Sequence, residues 1–136
     1  MDKTLILEII TVDKEIFSGE IISVTAPGTI GEFQVLYNHA PLVSTLEIGK
    51  IKIVEPPNKE SIFAVSGGII EVRENKVIIL ADAVEGQDEI DVSRAERAAE
   101  KAENSIESDI KVNREQEILA LKRAKNRIKI AKAMIK

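Results

Sequence analysis

Apolar and polar positions change rhythm once along this chain, near residue 86. Before that point, short runs rich in Ile, Val and Thr follow one another with period two. Ile51 and Ile53 alternate with Lys50 and Lys52, and Ile70 and Val72 with Glu71 and Arg73. Such alternation places one face of a strand in a core and the other in water. It predicts strands over residues 4–11, 21–26, 32–36, 50–54, 61–65, 69–73 and 77–81. Between them stand the breakers Ser18-Gly19, Pro27-Gly28, Gly49, Pro56-Pro57-Asn58, Gly67-Gly68 and Glu74-Asn75. The nearly all-apolar run at 77–81 predicts a buried strand. Many short strands with no helical period between them predict a β-sandwich or barrel.

After Gly86 the pattern becomes helical. Ala, Glu, Lys and Arg dominate, and Gly and Pro disappear. Residues 91–107 and about 114–135 predict two helices, and the short joint at 108–113 makes them antiparallel neighbours. The expected fold is mainly β plus α: an N-terminal β-sandwich over residues 1–86 and a C-terminal antiparallel two-helix hairpin over 87–136.

Plotted at about 100° per residue, each helix shows an apolar stripe flanked by charge. On the first, Val92, Ala95, Ala98, Ala99, Ala102 and Ile106 form the stripe, with Glu96, Glu100, Glu103 and Glu107 about 105° to one side. On the second, Leu121, Ala124, Ile128, Ala131 and Ile135 form the stripe, with Lys122, Lys125, Lys129, Lys132 and Lys136 about 110° to the same side. Antiparallel packing, stripe on stripe, brings the acidic row and the basic row to one edge. The opposite edge gathers Arg94 and Lys101 with Arg123 and Arg127. Guanidinium forks suit phosphate oxygens, so this edge reads either as a polyanion site or as a solvated basic face.

Composition sharpens the division. Of 136 residues, 31% are charged and 3% aromatic, with no Trp and no Cys, so the core must be aliphatic and disulfides and thiolate metal sites are excluded. The net charge of −4 hides an asymmetry: residues 85–117 hold eleven acids and five bases, residues 118–136 seven bases and no acid. No apolar run reaches the length of a membrane span. The N-terminal residues lack signal-peptide features, giving an expectation of a cytoplasmic protein. The basic second helix raises the possibility of nucleic-acid or anionic-membrane binding, but its Ala-rich apolar face, without Trp or Phe, argues against anchoring. The lone His39 has no Ser or Cys nucleophile to partner it. Gly67-Gly68 precedes a strand rather than a helix, which reads as a turn or bulge and not a phosphate loop. No Walker motif, metal cluster or assignable carboxylate pair is present, so no catalytic or metal-binding residue is assigned.

Several blocks then resemble one known family. Residues 31–42, GEFQVLYNHAPL, are similar to a loop and strand of the epsilon subunits of bacterial F-type ATP synthases. Residues 66–72, SGGIIEV, and 77–82, VIILAD, resemble a second block of that family. Ile90-Asp91-x-x-Arg94-Ala95 is similar to its nucleotide motif, and Ala120-Leu121-Lys122-Arg123-Ala124-x-Asn126-Arg127 to the second helix of its ATP-binding members. Tyr37-Asn38 stands where the family often has Pro-Gly, and Asn tolerates the left-handed turn this needs. Lys101 stands where some ATP-binding members carry Arg.

The resemblance implies a non-catalytic subunit of a rotary motor, peripheral at the cytoplasmic face of the cell membrane. Its sandwich would rest on the gamma subunit and the c-ring, with Glu32 and His39 in the contact. Its hairpin would bind ATP as a regulatory ligand when folded, through Glu85, Asp91, Arg94, Ala95, Lys101, Arg123 and Arg127, with no metal required. When extended it would inhibit ATP hydrolysis, with Lys122, Lys125, Lys129 and Lys132 facing acidic segments of beta in the alpha/beta hexamer. Nucleic acid would not be a partner. The competing readings are a free-standing ATP-sensing module and a nucleic-acid-binding adaptor.

Overall fold

The structure, a computed structural model, describes residues 3–107 and 113–133. The chain divides into two compact units, Met1–Gly86 and Gln87–Lys136, at the boundary where the sequence rhythm changes.

The first unit contains eight strands: β1 (Leu5–Ile10), β2 (Glu15–Ile21), β3 (Ser23–Gly28), β4 (Gly31–Val35), β5 (Leu42–Glu55), β6 (Lys59–Arg73), β7 (Lys76–Ala81) and β8 (Val84–Gly86). Their order is β2-β1-β7-β6-β5-β3-β4, with β8 beside β6. All neighbours are antiparallel except β1 and β7. The fold is the expected β-sandwich, and its construction lies in β5 and β6.

These two long strands run in one register from Leu42↔Val72 to Glu55↔Lys59. Their inward face changes phase midway. On β5, Leu42 and Leu46 point inward, then Ile51 and Ile53. On β6, Phe63 and Val65 point inward, then Ile70 and Val72. A phase change of one residue turns a strand over. The hairpin therefore passes from one layer to the other. One end of β6 pairs with β8 through Phe63–Val65, and the other with β7 through Gly68–Arg73. The inward side chains of β1, β3, β4, β5, β6 and β7 meet in a single aliphatic cluster that includes Leu7, Ile9, Val24, Val35, Ile53, Val65, Ile70 and Ile79. Phe17 and Phe63 pack edge to face against it, with ring centroids 6.5 Å apart.

Four breakers of the sequence reading are strand residues instead, Pro27-Gly28 at the end of β3 among them. Ser18-Gly19 lies inside β2, a strand the periodicity did not predict. Gly49 lies inside β5, whose first half was also unpredicted. A Cβ there would stand 2.8 Å from Pro27 Cβ, so glycine admits β3 alongside rather than ending the strand. Gly67-Gly68 joins what were read as two strands into β6. Its φ values of 97° and 142° supply the turn-over that an L-residue resists.

The second unit begins with a short turn of 3-10 helix, Gln87–Glu89, followed by α1 (Val92–Glu107) and α2 (Arg114–Lys132). Both helices agree with the expected ranges to within a few residues. The joint at 108–112 and the last predicted residues of the apolar stripe and of the basic row, Ile135 and Lys136, lie outside the described residues. The Gln87 side chain donates to the Ile130 carbonyl at 2.8 Å. The approach to α1 therefore lies beside the end of α2, and the helices are antiparallel. Their seam is built of small residues: Ala95, Ala99 and Ala102 on α1, Ala124 and Ala131 on α2. Ala98, placed in the stripe by the wheel, is exposed, and Ile130, left out of it, is buried.

Candidate functional site

Two groups of residues carry candidate chemistry, one on each unit.

On the sandwich, the group lies around β4. The β3–β4 hairpin closes through a two-residue loop, Thr29-Ile30, between the paired Gly28 and Gly31. The Thr29 N–H and hydroxyl both donate to the Thr45 carbonyl at 3.2 Å, and the two threonine hydroxyls also bond. The loop is thereby pinned to β5, and Glu32 follows it, exposed, on β4. Ile30 is fully exposed at the tip. An apolar side chain held in water on a stiffened turn was not singled out by the sequence; strand periodicity says nothing about loop residues.

Beyond β4 the chain makes a second turn. The His39 N–H donates to the Leu36 carbonyl at 3.1 Å. Asn38 has φ 64°, whereas Tyr37 stays outside the left-handed region, the pattern of a type II turn. The expectation that Asn tolerates the left-handed position thus has a structural counterpart. His39 is half-buried, with Nδ1 2.7 Å from the Ala40 carbonyl, and Leu36 and Tyr37 are both exposed. Glu32 and His39 are thus carried by adjacent pieces of chain, but no hydrogen bond joins them among the described residues.

On the hairpin, Arg94, Lys101 and Arg123 are exposed and Arg127 is half-buried. Gln87 sets the level of the two helices. Arg94 lies seven residues beyond Gln87, across a 3-10 turn and the start of α1, and Arg123 seven before Ile130, so the two guanidinium-bearing residues stand within roughly one to two turns of each other. Arg127 lies one turn further along α2.

Other members of the expected nucleotide set have structural work. Asp91 caps α1: its carboxylate accepts from the Arg94 N–H at 3.0 Å and its carbonyl from the Ala95 N–H at 3.0 Å. Ala95 is completely buried, so its methyl packs in the seam and lines no open surface. Lys101 opens instead onto a shallow depression on the outer side of α1, with Arg97, Glu100, Asn104 and Ser105. Glu85 belongs to β8, in the other unit.

The two charged rows are as exposed as the wheel required: Glu96, Glu100, Glu103 and Glu107 on α1, and Lys122, Lys125, Lys129 and Lys132 on α2. They do not pair. Among the described residues no ion pair joins them, although on the sandwich Lys52 reaches Glu60 at 2.7 Å. The wheel fixes direction but not reach; long side chains in water gain little by giving up their rotamers. The sequence reading also missed Gln87, whose bond to Ile130 fixes the hairpin's register. A polar residue before a helix carries no periodic signal.

Among the described residues no group of His, Asp and Glu could hold a metal ion, and no helix is long and apolar enough to cross a membrane.

Comparison with known proteins divides the chain one residue beyond Gly86, between 87 and 88. Residues 4–87 match the beta-sandwich domain of the ATP synthase delta/epsilon chain, and residues 88–132 its long alpha-helix domain. The ATP synthase epsilon chain of Desulforamulus reducens is 46% identical over 134 residues, covering 96% of this chain and 99% of that one. That of Pelotomaculum thermopropionicum is 48% identical over 105 residues, 77% of this chain and 78% of its own. A chain in the OSCP/F1/c-ring structure of the Euglena gracilis mitochondrial ATP synthase superposes with a TM-score of 0.82 at 24% identity, covering 93% of this chain and 80% of that one. At that identity the likeness is one of fold.

Proposed function

The chain belongs to the ATP synthase delta/epsilon family as an epsilon chain of the F-type enzyme, a stalk subunit and not a catalytic one, and from this we propose how it works. The sandwich couples rotation, docked on the gamma subunit and the c-ring at the cytoplasmic face of the membrane. The hairpin regulates, binding ATP when closed and inhibiting ATP hydrolysis when opened toward the alpha/beta hexamer. Proton flow through the ring is the coupled process.

The observation that carries this reading is the alanine seam. Its five buried alanine methyl groups at about 0.8 kcal/mol each contribute roughly 4 kcal/mol, and the buried Ile130 roughly 1.5–3 kcal/mol more, before any ordering cost. Moving a two-state equilibrium from one side to the other takes about 5.5 kcal/mol of differential affinity. A seam this shallow holds a hairpin that a ligand can tip, whereas a seam of leucines would lock it. A ligand confined to the closed form shifts the balance by its own affinity. Arg94, Arg123 and Arg127 supply the cationic groups for a polyphosphate, Lys101 standing apart on the outer side of α1, and ATP needs no metal held by the protein to meet them.

Opening would release a helix that carries seven bases and no acid from residue 118 onward. Lys122, Lys125, Lys129 and Lys132 would then face acidic segments of beta, where partial desolvation strengthens attraction. The acidic row on α1 serves this scheme only weakly, since its carboxylates make no bridge to the lysines.

The test is ATP hydrolysis by the reconstituted catalytic sector, with the full chain and with a chain lacking residues 114–136. Deletion should raise the rate, most strongly at low ATP. An unchanged rate removes the inhibitory role and leaves the coupling role standing.

A further inference from the structure

Asn75 occupies the turn between β6 and β7, where Glu74 and Asn75 both have positive φ, 48° and 62°. This is the I′ geometry of a two-residue hairpin, closed by the pair Arg73↔Lys76. Glycine would serve such a turn as well as asparagine, or better. What asparagine adds is an amide, and that amide is engaged 37 residues back in the chain. The Asn38 N–H donates to Asn75 Oδ1 at 2.7 Å, and Asn75 Nδ2 donates to Asn38 Oδ1 at 3.2 Å. Asn75 is itself anchored, for its carbonyl accepts from the Ile6 N–H at 3.0 Å, joining it to β1.

The clamp therefore ties the Leu36–His39 turn to the sheet. The tied turn exposes Leu36 at 48% and Tyr37 at 41%, and its backbone bond places His39, whose Nδ1 is held by the Ala40 carbonyl. A six-residue connection between β4 and β5 would ordinarily sample many shapes, and each would have to be lost on docking. Here two hydrogen bonds from a rigid hairpin have already fixed one.

We propose that Asn75 is a positioning residue for docking: its amide presets the Leu36–His39 turn, so that Leu36, Tyr37 and His39 meet the gamma subunit as a preformed surface. This rests on the docking role proposed above. Asn75 itself touches no partner in this scheme; it acts through Asn38.

Two substitutions separate the clamp from the turn. Asn75→Gly keeps the left-handed hairpin and removes the amide. Asn75→Asp keeps an oxygen acceptor for the Asn38 N–H and the turn preference of an Asx side chain. Purified full-length chains are titrated with the cognate gamma subunit by calorimetry, and amide exchange at Asn38 and His39 is followed by NMR in the free chains. Tyr37→Ser is measured alongside as a probe of the docking surface. Asn75→Gly should speed exchange at both amides and weaken gamma binding about tenfold, the cost of ordering one or two loop side chains on docking. Asn75→Asp should restore most of both.

Faster exchange with unchanged binding, while Tyr37→Ser weakens it, would overturn the positioning role and leave the docking surface intact. Unchanged exchange would show that the clamp does not hold the turn. Binding that stays weak in Asn75→Asp although exchange at Asn38 and His39 returns to the wild-type rate would show that gamma does not read the preset turn, and would overturn the positioning role. If neither Tyr37→Ser nor Asn75→Gly weakens binding, this turn is not the docking surface, and the proposal falls with it.

Discussion

Gly68→Ala tests the strand crossing on which the sandwich depends. Gly68 has φ 142°, and a Cβ there would run into the Leu80 carbonyl oxygen and stand 2.8 Å from Ala81 Cα. Both are backbone atoms of β7, held by the β6–β7 pairing, and cannot swing aside. Gly31 provides the control: its φ is 149°, yet nothing lies within 4 Å of a Cβ added to it. The unfavourable φ costs about 1–3 kcal/mol at either site. The collision adds about 1–3 kcal/mol at Gly68 alone. Gly31→Ala should therefore lose about 1–3 kcal/mol and Gly68→Ala roughly 2–6 kcal/mol. Against a total of about 5–15 kcal/mol for a domain, the second loss is severe. Urea unfolding at pH 7, with a slope of about 1.5 kcal/mol/M, should put the Gly68→Ala midpoint roughly 1.3–4 M below wild type and that of Gly31→Ala about 0.7–2 M below, the first always the larger shift. Equal midpoints for the two variants would show that backbone conformation alone matters and that β7 does not crowd the crossing.

Further outcomes follow from the hairpin. Arg94→Ala should weaken ATP binding by about tenfold, a charge-assisted bond being worth roughly 1.5–3 kcal/mol; equal affinity by calorimetry would move the site off this edge. Replacing Glu96, Glu100 and Glu103 together with Gln should change the hairpin's thermal unfolding by no more than about 1 kcal/mol, and less at high salt, because exposed unpaired rows interact weakly. A loss of several kcal/mol would mean that the rows hold the hairpin closed after all.

The change of rhythm near residue 86 was legible because period two and period 3.6 are different physical signals. The hairpin was legible for the same reason, and Asp91 and Asn113 stand as its caps where helix-start chemistry would put them. The sandwich was read as a kind of fold but not as a set of strands. Gly49 and Gly67-Gly68 looked like stops because glycine ends strands in most local contexts. Here they mark where a strand crosses another and turns over, a tertiary reason with no local trace. β2 was lost because its sequence, EIFSGEI, holds no clean alternation and its residues are mostly half-buried or exposed.

The site was legible in direction and not in detail. The wheel placed Arg94, Lys101, Arg123 and Arg127 toward one edge with Arg94 level with Arg127, whereas the Gln87–Ile130 bond sets Arg94 nearer the level of Arg123. The same wheel put Ala98 in the seam, where 100° steps carry it too far around, and joined two charged rows that stand apart. Asp91 and Ala95 entered through a motif, which cannot say that one carboxylate caps a helix and one methyl fills a seam. Asn75 and Thr45 could not have been found at all, since each acts on a turn far away in sequence.

The account stands most directly on the docking of the sandwich. Calorimetric titration of the cognate gamma subunit with residues 1–86, and with the full chain, measures it in one experiment. The β-strands, their core and the turns at Ile30 and His39 all lie before residue 87, so the shorter chain should melt cooperatively and bind gamma with an affinity close to that of the full chain. A folded 1–86 chain that fails to bind gamma would contradict the account.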